Sequence, residues 1–532
     1  MKKRYITGYA GLRALAVIGV ILYHLDPDHF GGGYLGVPVF LVLTGYLVTD
    51  QIMAAYDRQN FFDIKSFYQR RFKRLYPPLI AMLWLTSAYI VLFFQRNLLN
   101  KLYQIVGSNL LGVYNFWQIF NGQSYFERFA NNESPFVHLW TMSIDWQFYL
   151  LWPLVMALVY KFGKRRRNMF WALIALSLLS AAEMALLYRP GQDTSRIYYG
   201  TDTRFFSLGL GSAMAILWPF EKLDNRFTRK DGVILNWTGA GTLAGMLLLM
   251  FTPLMNAQTA FPYYGGMLIF SFFTAVFAAV IAAPVGIWNR LLTNPLFDWL
   301  GSRSYEIYLY QFPVMIFFES RVSDLADHVA LYRVIEVALI LLISELTYRL
   351  FEKRRYTGAE IRSSLARLFH RPVKLSRSWL KTAAFFLVFL IGSGGILFSP
   401  LAKADNKDGA LIKTIDDNSK QQAEMNKRAL EAIKSSQKSS AKSSSQSQSK
   451  KKSQKSKKTD SKQKSKTSSK KVNQEFEKYG ISQTELQAAQ KLQVTAIGDS
   501  VMASASDLLH QLLPHAIVDA TVSRQADVAP QL

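Results

Sequence analysis

Long apolar stretches alternate with short polar segments along roughly the first 400 residues of the chain. Each stretch approaches the length of about 20 residues that a helix needs to cross the hydrocarbon core of a bilayer. The pattern predicts a polytopic α-helical membrane domain with about eleven spans. The predicted spans are Ala10–Leu25, Tyr34–Ala54, Tyr76–Phe94, Trp140–Tyr160, Met169–Leu187, Phe205–Phe220, Ile234–Phe251, Tyr264–Ile287, Ser304–Phe318, Ile335–Phe351 and Thr382–Ser399.

Basic residues in the short loops predict the orientation of these helices, because such loops remain in the cytoplasm. The N-terminal Met1–Arg4, the loop Arg58–Arg74 and the loop Lys161–Arg167 are all basic. Two predicted spans already separate the last two loops. The further apolar stretch Leu102–Phe120 is therefore expected to be re-entrant or to lie along the outer interface. The N-terminus is predicted to be cytoplasmic and the C-terminal tail extracellular, in a multi-pass plasma-membrane protein.

The basic N-terminus and first apolar stretch also resemble a signal peptide. No small-residue cleavage site is evident and a second apolar stretch follows at once, which favours an uncleaved helix. The chain of 532 residues has no cysteine and a formal charge of +25. Disulfides, thiolate nucleophiles and cysteine-based metal sites are therefore excluded, no metal is expected, and the charge is attributed to cytoplasmic loops and the tail rather than to nucleic-acid binding.

The tail changes composition abruptly. Lys434–Lys471 is almost entirely Ser, Lys and Gln, and such a segment cannot bury a core. Its lysines suit anionic envelope polymers by unspecific attraction. The predicted organisation is a membrane domain at 1–355, a basic cytoplasmic loop at 356–380, a final span at 381–400, an extracellular Ser/Lys-rich linker at 401–485 and a partial α/β domain at 486–532.

His24 is an ionisable residue inside a predicted span, where such residues are costly and mark functional sites. About twenty residues beyond Arg4, it lies roughly 30 Å along the helix, near the outer side. One interpretation is an interfacial histidine hydrogen-bonded to water. The other is a general base that takes the proton of an acceptor hydroxyl.

Four further ionisable residues are predicted at the same outer level as His24. His138 and Asp145 flank the start of one span, and Asp202 and Arg204 the start of another. Ordinary salt bridging between helix ends, for example between Asp202 and Arg204, is the alternative. The convergence of all five favours a polar site open to the outside.

Arg70, Arg71 and Arg74 lie on the opposite, cytoplasmic side. They serve to fix topology, as basic loops do. Guanidinium groups also match phosphate oxygens in a bidentate way, so the same residues predict a phosphate site. A donor molecule with several phosphate groups at one end and a long, narrow chain at the other would connect a phosphate site inside with an acid–base site outside.

These residues resemble the acyltransferase-3 family, and within it the peptidoglycan O-acetyltransferases, over about residues 5–400. The segments that carry the resemblance are Gly11–Val17 with Tyr23-His24, Gly33–Phe40, Thr44–Leu47, Phe67–Pro77, Ser134-Pro135 with His138–Trp140, Gln147–Leu150, Tyr199–Arg204 and Ser304–Pro313. Two positions depart from the family pattern. Pro38 stands where an acidic residue is frequent, and Asp145-Trp146 replaces a pair of glutamates, which keeps one carboxylate but shortens its reach.

The resemblance implies ten core spans plus one that exports an SGNH-hydrolase domain. It also implies cytoplasmic acetyl-CoA as the donor, with its phosphates at the arginine motif around Arg71 and Arg74, and His24 as the catalytic histidine. A tyrosine that carries the acetyl group across is implied as well, and Tyr149 and Tyr199 are the matching positions.

Ser500 is the predicted nucleophile of the α/β domain. The apolar run Val494–Ile497 predicts a strand and Met502–Leu513 a helix, which is how several hydrolases present a serine. In SGNH enzymes a glycine, an asparagine and an Asp-x-x-His complete the site. Here Ser523 stands at the glycine position, Asp527 is followed by Val, Ala and Pro, and the other blocks are missing. Little serine-dependent transfer is therefore expected from this chain alone.

Three functions remain open from the sequence. The first is a two-part O-acetyltransferase that moves acetyl groups outward to a cell-wall glycan, above all the C6 hydroxyl of N-acetylmuramic acid. The second changes the acceptor to teichoic acid, a capsule or another polysaccharide. The third is a polytopic transporter with an extracellular binding module, although no internal repeat of the kind frequent in transporters is evident.

Overall fold

The computed structural model describes residues 6–399, except 28, 94–98, 100, 122–133, 164, 191–192, 224–226, 258, 323–327 and 354–376, and residues 472–520, except 474–475, 478–479, 493 and 499. The chain divides into two compact units, Met1–Ala402 and Lys403–Leu532. The basic loop 356–380 and the linker 401–485 lie largely outside the described residues.

The first unit is helical. Its helices are α1 (Gly8–Leu25), α2 (Gly36–Gln59), α3 (Ile64–Phe93), α4 (Leu102–Leu111), α5 (Tyr114–Asn121), α6 (Trp140–Lys161), α7 (Arg166–Leu187), α8 (Ser195–Tyr199), α9 (Thr201–Leu217), α10 (Arg229–Phe251), α11 (Met267–Ala282), α12 (Ile287–Leu292), α13 (Pro295–Ser302), α14 (Ser304–Glu319), α15 (Val329–Tyr348) and α16 (Arg377–Phe398). Short 3₁₀ turns precede α2 and α6, and a π-helical turn, Arg349–Lys353, follows α15.

Seven helical segments of the described chain are long and apolar enough to cross a membrane, as expected for a multi-pass protein. The other four predicted spans also coincide with helices. α9 and α14 are shorter, with 17 and 16 residues. α15 carries Arg333, Glu336 and Glu345, and only part of α16, Phe385–Phe398, counts as an apolar helix.

The additional apolar stretch Leu102–Phe120 forms two short helices rather than one span. α4 has 10 residues and α5 has 8. Gly112 separates them with a left-handed backbone, at a φ of 70°, which glycine adopts without steric cost. Neither helix is long enough to cross a bilayer. A re-entrant or outer interfacial position of this stretch stays a prediction.

Two glycines allow α2 and α9 to pack closely. A Cβ atom on Gly45 would collide with the carbonyl oxygen of Leu208, and one on Gly211 with that of Val42. Small residues at such contacts let helix backbones approach inside membranes. The close contact fixes α2, which carries several residues of the candidate site.

We expect Gly45→Val to destabilise the membrane unit by about 1–3 kcal/mol, because backbone has to move away from the added side chain. Gly241→Val on α10 is the matched control, since a Cβ there meets nothing within 4 Å. Thermal unfolding in detergent measures both variants. Equal melting temperatures for the two would show that the α2–α9 contact does not need a glycine.

The second unit contains α17 (Gln483–Ala489), β1 (Thr495–Gly498), α18 (Ser500–Leu512) and β2 (Ile517–Ala520). The strands are parallel, with Thr495 opposite Ile517 and Gly498 opposite Ala520. Ala516 and Val518 are buried under α18 with Met502, Leu509 and Leu513. The predicted strand and helix around Ser500 are therefore present as a β–α–β unit.

Candidate active site

A pocket opens among five helices of the membrane unit, α1, α2, α3, α6 and α14. Each of the five contributes to its polar lining. Those residues are Arg13, Thr44, Arg71, Arg74, Thr141, Asp145, Tyr149, Ser304, Tyr305 and Tyr308. Three guanidinium groups and one aspartate thus share a cavity whose remaining walls are largely apolar.

The start of α3 is fixed by Asp63, whose carboxylate accepts a hydrogen bond from the Ser66 backbone N–H at 3.0 Å and another from the Ser66 hydroxyl. These bonds lower the pKa of Asp63, and they satisfy a backbone donor at the first turn of the helix. Beyond this cap, Arg71 and Arg74 stand three residues apart and therefore share one helix face. Arg70 points elsewhere and is exposed.

Arg71 and Arg74 are held differently. The Arg71 guanidinium lies 4.7 Å from the ring centre of Tyr149 and 5.4 Å from that of Phe67, so it rests on aromatic faces. Arg74 Nε donates to Glu352 at 2.8 Å. Of the two, Arg71 has no carboxylate salt bridge within the part of the chain that the structure describes, which makes it the better placed to meet an anion.

Arg13 is a pocket residue that the sequence interpretation did not select. It lies on α1, as does His24, and eleven residues separate the two, which corresponds to about 16 Å along a helix. One helix therefore contributes to both ends of the candidate site. A cationic residue inside the apolar stretch Ala10–Leu25 was the available signal.

Asp145 and Tyr149 also belong to the pocket rather than to the outer group. They stand one helical turn apart on α6. The charged groups that interact with Asp145 are Arg71 and Arg13. The sequence interpretation placed Asp145 level with His24, and the structure instead brings it to the arginines, because it lies more than one turn inside α6.

Glu306 on α14 is a second buried carboxylate beside this charge cluster. It is fully buried, and neither carboxylate oxygen has a hydrogen-bond partner among the described residues. Arg74 and Arg13 are the nearby cations that interact with it. Glu306 lies in the segment Ser304–Pro313, which carries part of the family resemblance, but no role was predicted for it from the sequence.

His24 and His138 flank a single aromatic ring. The Phe312 ring centre lies 5.3 Å from that of His24 and 5.4 Å from that of His138. Both histidines are buried, with exposed fractions of 2% and 0%. This burial argues against an interfacial histidine solvated by bulk water. The shared contact with Phe312 brings together two of the predicted catalytic residues.

Tyr308 connects this pair of histidines to the pocket. Thr141 Oγ1 donates to the Tyr308 hydroxyl at 2.7 Å, and that hydroxyl donates to the His138 carbonyl oxygen. Thr141 and Tyr308 both line the pocket. The wall of the arginine pocket is therefore in direct contact with the residue that packs, through Phe312, against His24.

Tyr199 and Arg204 belong to a buried aromatic cluster. Arg204 Nε donates to the Tyr198 carbonyl at 2.9 Å, and its guanidinium lies over the rings of Tyr198 and Trp140. Tyr199 packs against Trp140 with ring centres 5.6 Å apart. Asp202 pairs with Arg196 at 2.6 Å, so the salt bridge between Asp202 and Arg204 that was considered as an alternative is wrong.

Ser500 is the first residue of α18, two positions after Gly498, the last residue of β1. This is the backbone position predicted for the serine. Ser523 and Asp527 lie outside the described residues. His510 is placed on α18, where its Nδ1 lies 2.9 Å from the Ser506 carbonyl oxygen. No cluster of side chains suited to a metal ion occurs in the described part of either unit.

Comparison with known proteins identifies the class. Residues 6–349 match the model of the acyltransferase-3 family, described as an acyltransferase domain. The match covers more than half of the chain, and every residue that lines the pocket falls inside it. The chain therefore belongs to the acyltransferase-3 family.

Two curated relatives are similar over the membrane unit. The peptidoglycan O-acetyltransferase OatA of Listeria monocytogenes serovar 1/2a is 36% identical over 350 residues, which cover 66% of this chain and 56% of the relative. The protein named "Putative peptidoglycan O-acetyltransferase YrhL" of Bacillus subtilis is 36% identical over 404 residues, covering 74% and 62%. The chain thus spans about three-fifths of the length of these relatives. No solved structure matches it.

Proposed function

We propose that this chain transfers acetyl groups from cytoplasmic acetyl-CoA to hydroxyl groups of a cell-wall glycan outside the membrane. The observation that carries the proposal is the contact of the arginine pocket with His138, which packs together with His24 on the ring of Phe312. The pocket would bind the anionic donor and the histidines would act as acid–base groups, with Tyr308 between the pocket and His138. Family membership and the names of the relatives support acyl transfer and set the transporter hypothesis aside.

The pocket fits the chemistry of the donor. Arg71, Arg13 and Arg74 would hold the phosphates of CoA, and the guanidinium of Arg71 is already oriented by two aromatic rings. The apolar walls suit the pantetheine arm. The thioester would then extend toward Thr141 and Tyr308, the part of the pocket wall in contact with His138.

Two transfers of the proposed reaction take place in the membrane unit. In the first, a tyrosine hydroxyl receives the acetyl group from CoA. Tyr149 lines the pocket beside Arg71, and Tyr199 lies in the aromatic cluster near Arg204, so either position is open to test. In the second, His24 removes the proton of an outer acceptor hydroxyl, whose oxygen attacks the acetyl ester. The bond between the acetyl carbon and the tyrosine oxygen breaks, and the tyrosine oxygen takes the proton from His24.

The second unit would deliver the acetyl group to the glycan through Ser500. The acceptor that we propose is the C6 hydroxyl of N-acetylmuramic acid, since the relatives are named for peptidoglycan O-acetylation. Another envelope polysaccharide is the alternative acceptor. Mass spectrometry of peptidoglycan and of teichoic acid from cells that express the chain distinguishes the two by where base-labile acetate is found.

The test of the donor step uses membranes that contain the full chain. With acetyl-CoA they should release free CoA faster than membranes that lack it, and acetyl groups should appear on the protein. CoA release no faster than in empty membranes would contradict the proposed function.

We expect Ser500→Ala to leave the first turnover of acetyl-CoA unchanged, because that step belongs to the membrane unit. Rapid-quench measurement of CoA release tests this expectation, with His24→Ala as the variant that should arrest steady turnover. A first turnover that depends on Ser500 would show that the donor reacts directly at the second unit.

A further inference from the structure

Helix α14 contains a proline at position 313, inside the helix. Proline has no backbone N–H, so the carbonyl oxygen of Leu309, four residues earlier, loses its usual helical donor. A carbonyl without a donor is costly in the interior of a membrane protein, and a neighbouring side chain usually replaces the missing bond. The side chain that donates to the Leu309 carbonyl in this protein therefore shows which residue the proline orients.

His138 supplies the replacement. Its Nε2 lies 3.1 Å from the Leu309 carbonyl oxygen. A carbonyl oxygen only accepts hydrogen bonds, so Nε2 must carry the hydrogen. A neutral imidazole carries one N–H, and no carboxylate pairs with His138 in the described part of the chain. Nδ1 is therefore the nitrogen with the lone pair.

Nδ1 of His138 is also the atom that remains available. The side chain is fully buried, and Nδ1 has no hydrogen-bond partner among the residues that the structure describes. A buried acceptor without a donor is unfavourable unless a ligand supplies one. The ring lies against Tyr308, with ring centres 5.4 Å apart, and against Phe312, in the layer between the arginine pocket and His24.

We propose that Pro313 is a positioning residue that holds His138 as its Nε2–H tautomer, so that Nδ1 serves as the base of the first acetyl transfer. This inference rests on the proposed function. The hydroxyl that first receives the acetyl group gives its proton to Nδ1 while its oxygen bonds to the acetyl carbon. The carbon–sulfur bond of acetyl-CoA breaks, and the proton passes from Nδ1 to the CoA thiolate. His24 then serves the second transfer, so that each transfer has its own base.

Nitrogen NMR decides the tautomer without any turnover. The full chain, with ¹⁵N-labelled histidine and reconstituted in lipid bilayers, is compared with His138→Gln to assign the His138 signals. We expect Nε2 protonated and Nδ1 unprotonated. In Pro313→Ala the new backbone N–H competes for the Leu309 carbonyl, and a fraction of the Nδ1–H tautomer should appear. A wild-type signal from Nδ1–H, or an unchanged signal in Pro313→Ala, would overturn the role of the proline.

Kinetics decide whether Nδ1 is a base. The side-chain amide of His138→Gln can still donate to the Leu309 carbonyl but has no basic nitrogen. We expect this variant to keep its melting temperature and to lose about 100-fold or more in the rate of CoA release. Pro313→Ala should lose several-fold in kcat with an unchanged KM for acetyl-CoA.

A His138→Gln variant that turns over like the wild type would overturn the base assignment. A wild-type chain that releases no CoA would contradict the proposed function itself, and the NMR comparison would then still decide the tautomer. The two failures are therefore distinguishable.

Discussion

His24→Ala should abolish acetyl transfer to the outer acceptor, with a loss of at least about 100-fold in the rate of acetylation. Removing a positioned general base typically costs a factor of about 10² to 10⁴. The imidazole is buried against Phe312 and Tyr23. In the alanine variant, bulk water therefore does not replace the imidazole as a positioned base. Base-labile acetate on purified cell-wall glycan is the measurement.

His29→Ala is the matched control for this prediction. His29 follows the same helix but is largely exposed and pairs with Asp26 at 2.9 Å, so its loss should leave acetylation unchanged. Equal wall acetate in His24→Ala and wild type, at equal protein levels, would remove His24 from the mechanism.

Arg71→Ala should raise the KM for acetyl-CoA by about 10-fold to 100-fold, with a smaller change in kcat. A charge-assisted hydrogen bond contributes about 1.5–3 kcal/mol, and each 1.4 kcal/mol corresponds to a factor of about ten in affinity. Loss of binding to a remote part of a substrate appears in KM when it affects ground state and transition state alike. Initial rates of CoA release over a range of acetyl-CoA concentrations measure both constants.

Arg70→Ala is the control for Arg71→Ala. It removes the same charge from the neighbouring position, but Arg70 is exposed and does not line the pocket. Arg71→Lys keeps the charge and loses the planar fork, so it should fall between wild type and alanine. Equal effects of Arg70→Ala and Arg71→Ala would mean that the general positive charge of the surface, and not the pocket, attracts the donor.

Hydrophobic length located the helices that coincide with the eleven predicted spans, but not the short helices α8, α12 and α13. The stretch Leu102–Phe120 was not counted as a span, because an extra crossing would have put the basic loop at Lys161 on the wrong side, and its helices α4 and α5 are both too short to cross. The number of helices long and apolar enough to cross a membrane was harder to predict. α9 and α14 are short, and α15 carries three charges that pair within the protein, such as Arg333 with Glu336.

The depth of single residues was harder to predict than the helices. Position along a span placed Asp145 near His24, but that position does not tell which neighbours a side chain faces. Arg71 and Arg13 come from two other helices, and only tertiary packing brings them to Asp145. The partner of Asp202 is Arg196, six residues earlier on α8, rather than Arg204.

The bond between His138 and Leu309 could not have been read from sequence at all. A proline inside a helix signals a free carbonyl four residues earlier, yet 171 positions separate His138 from Leu309. The sequence therefore marked His138 as an ionisable residue but did not link it to Leu309. Packing of the segment that leads into α6 against α14 supplies the connection.

The sidedness of acetyl-CoA use tests the central claim most directly. Proteoliposomes that contain the full chain in known orientation receive acetyl-CoA on one face at a time, with Arg71→Ala in parallel. The account predicts CoA release only when the donor is on the face that bears the start of α3, and its loss in Arg71→Ala at low donor concentration. Equal release from both faces, or release from the opposite face only, would contradict an acetyl group that enters through the arginine pocket and leaves past His24.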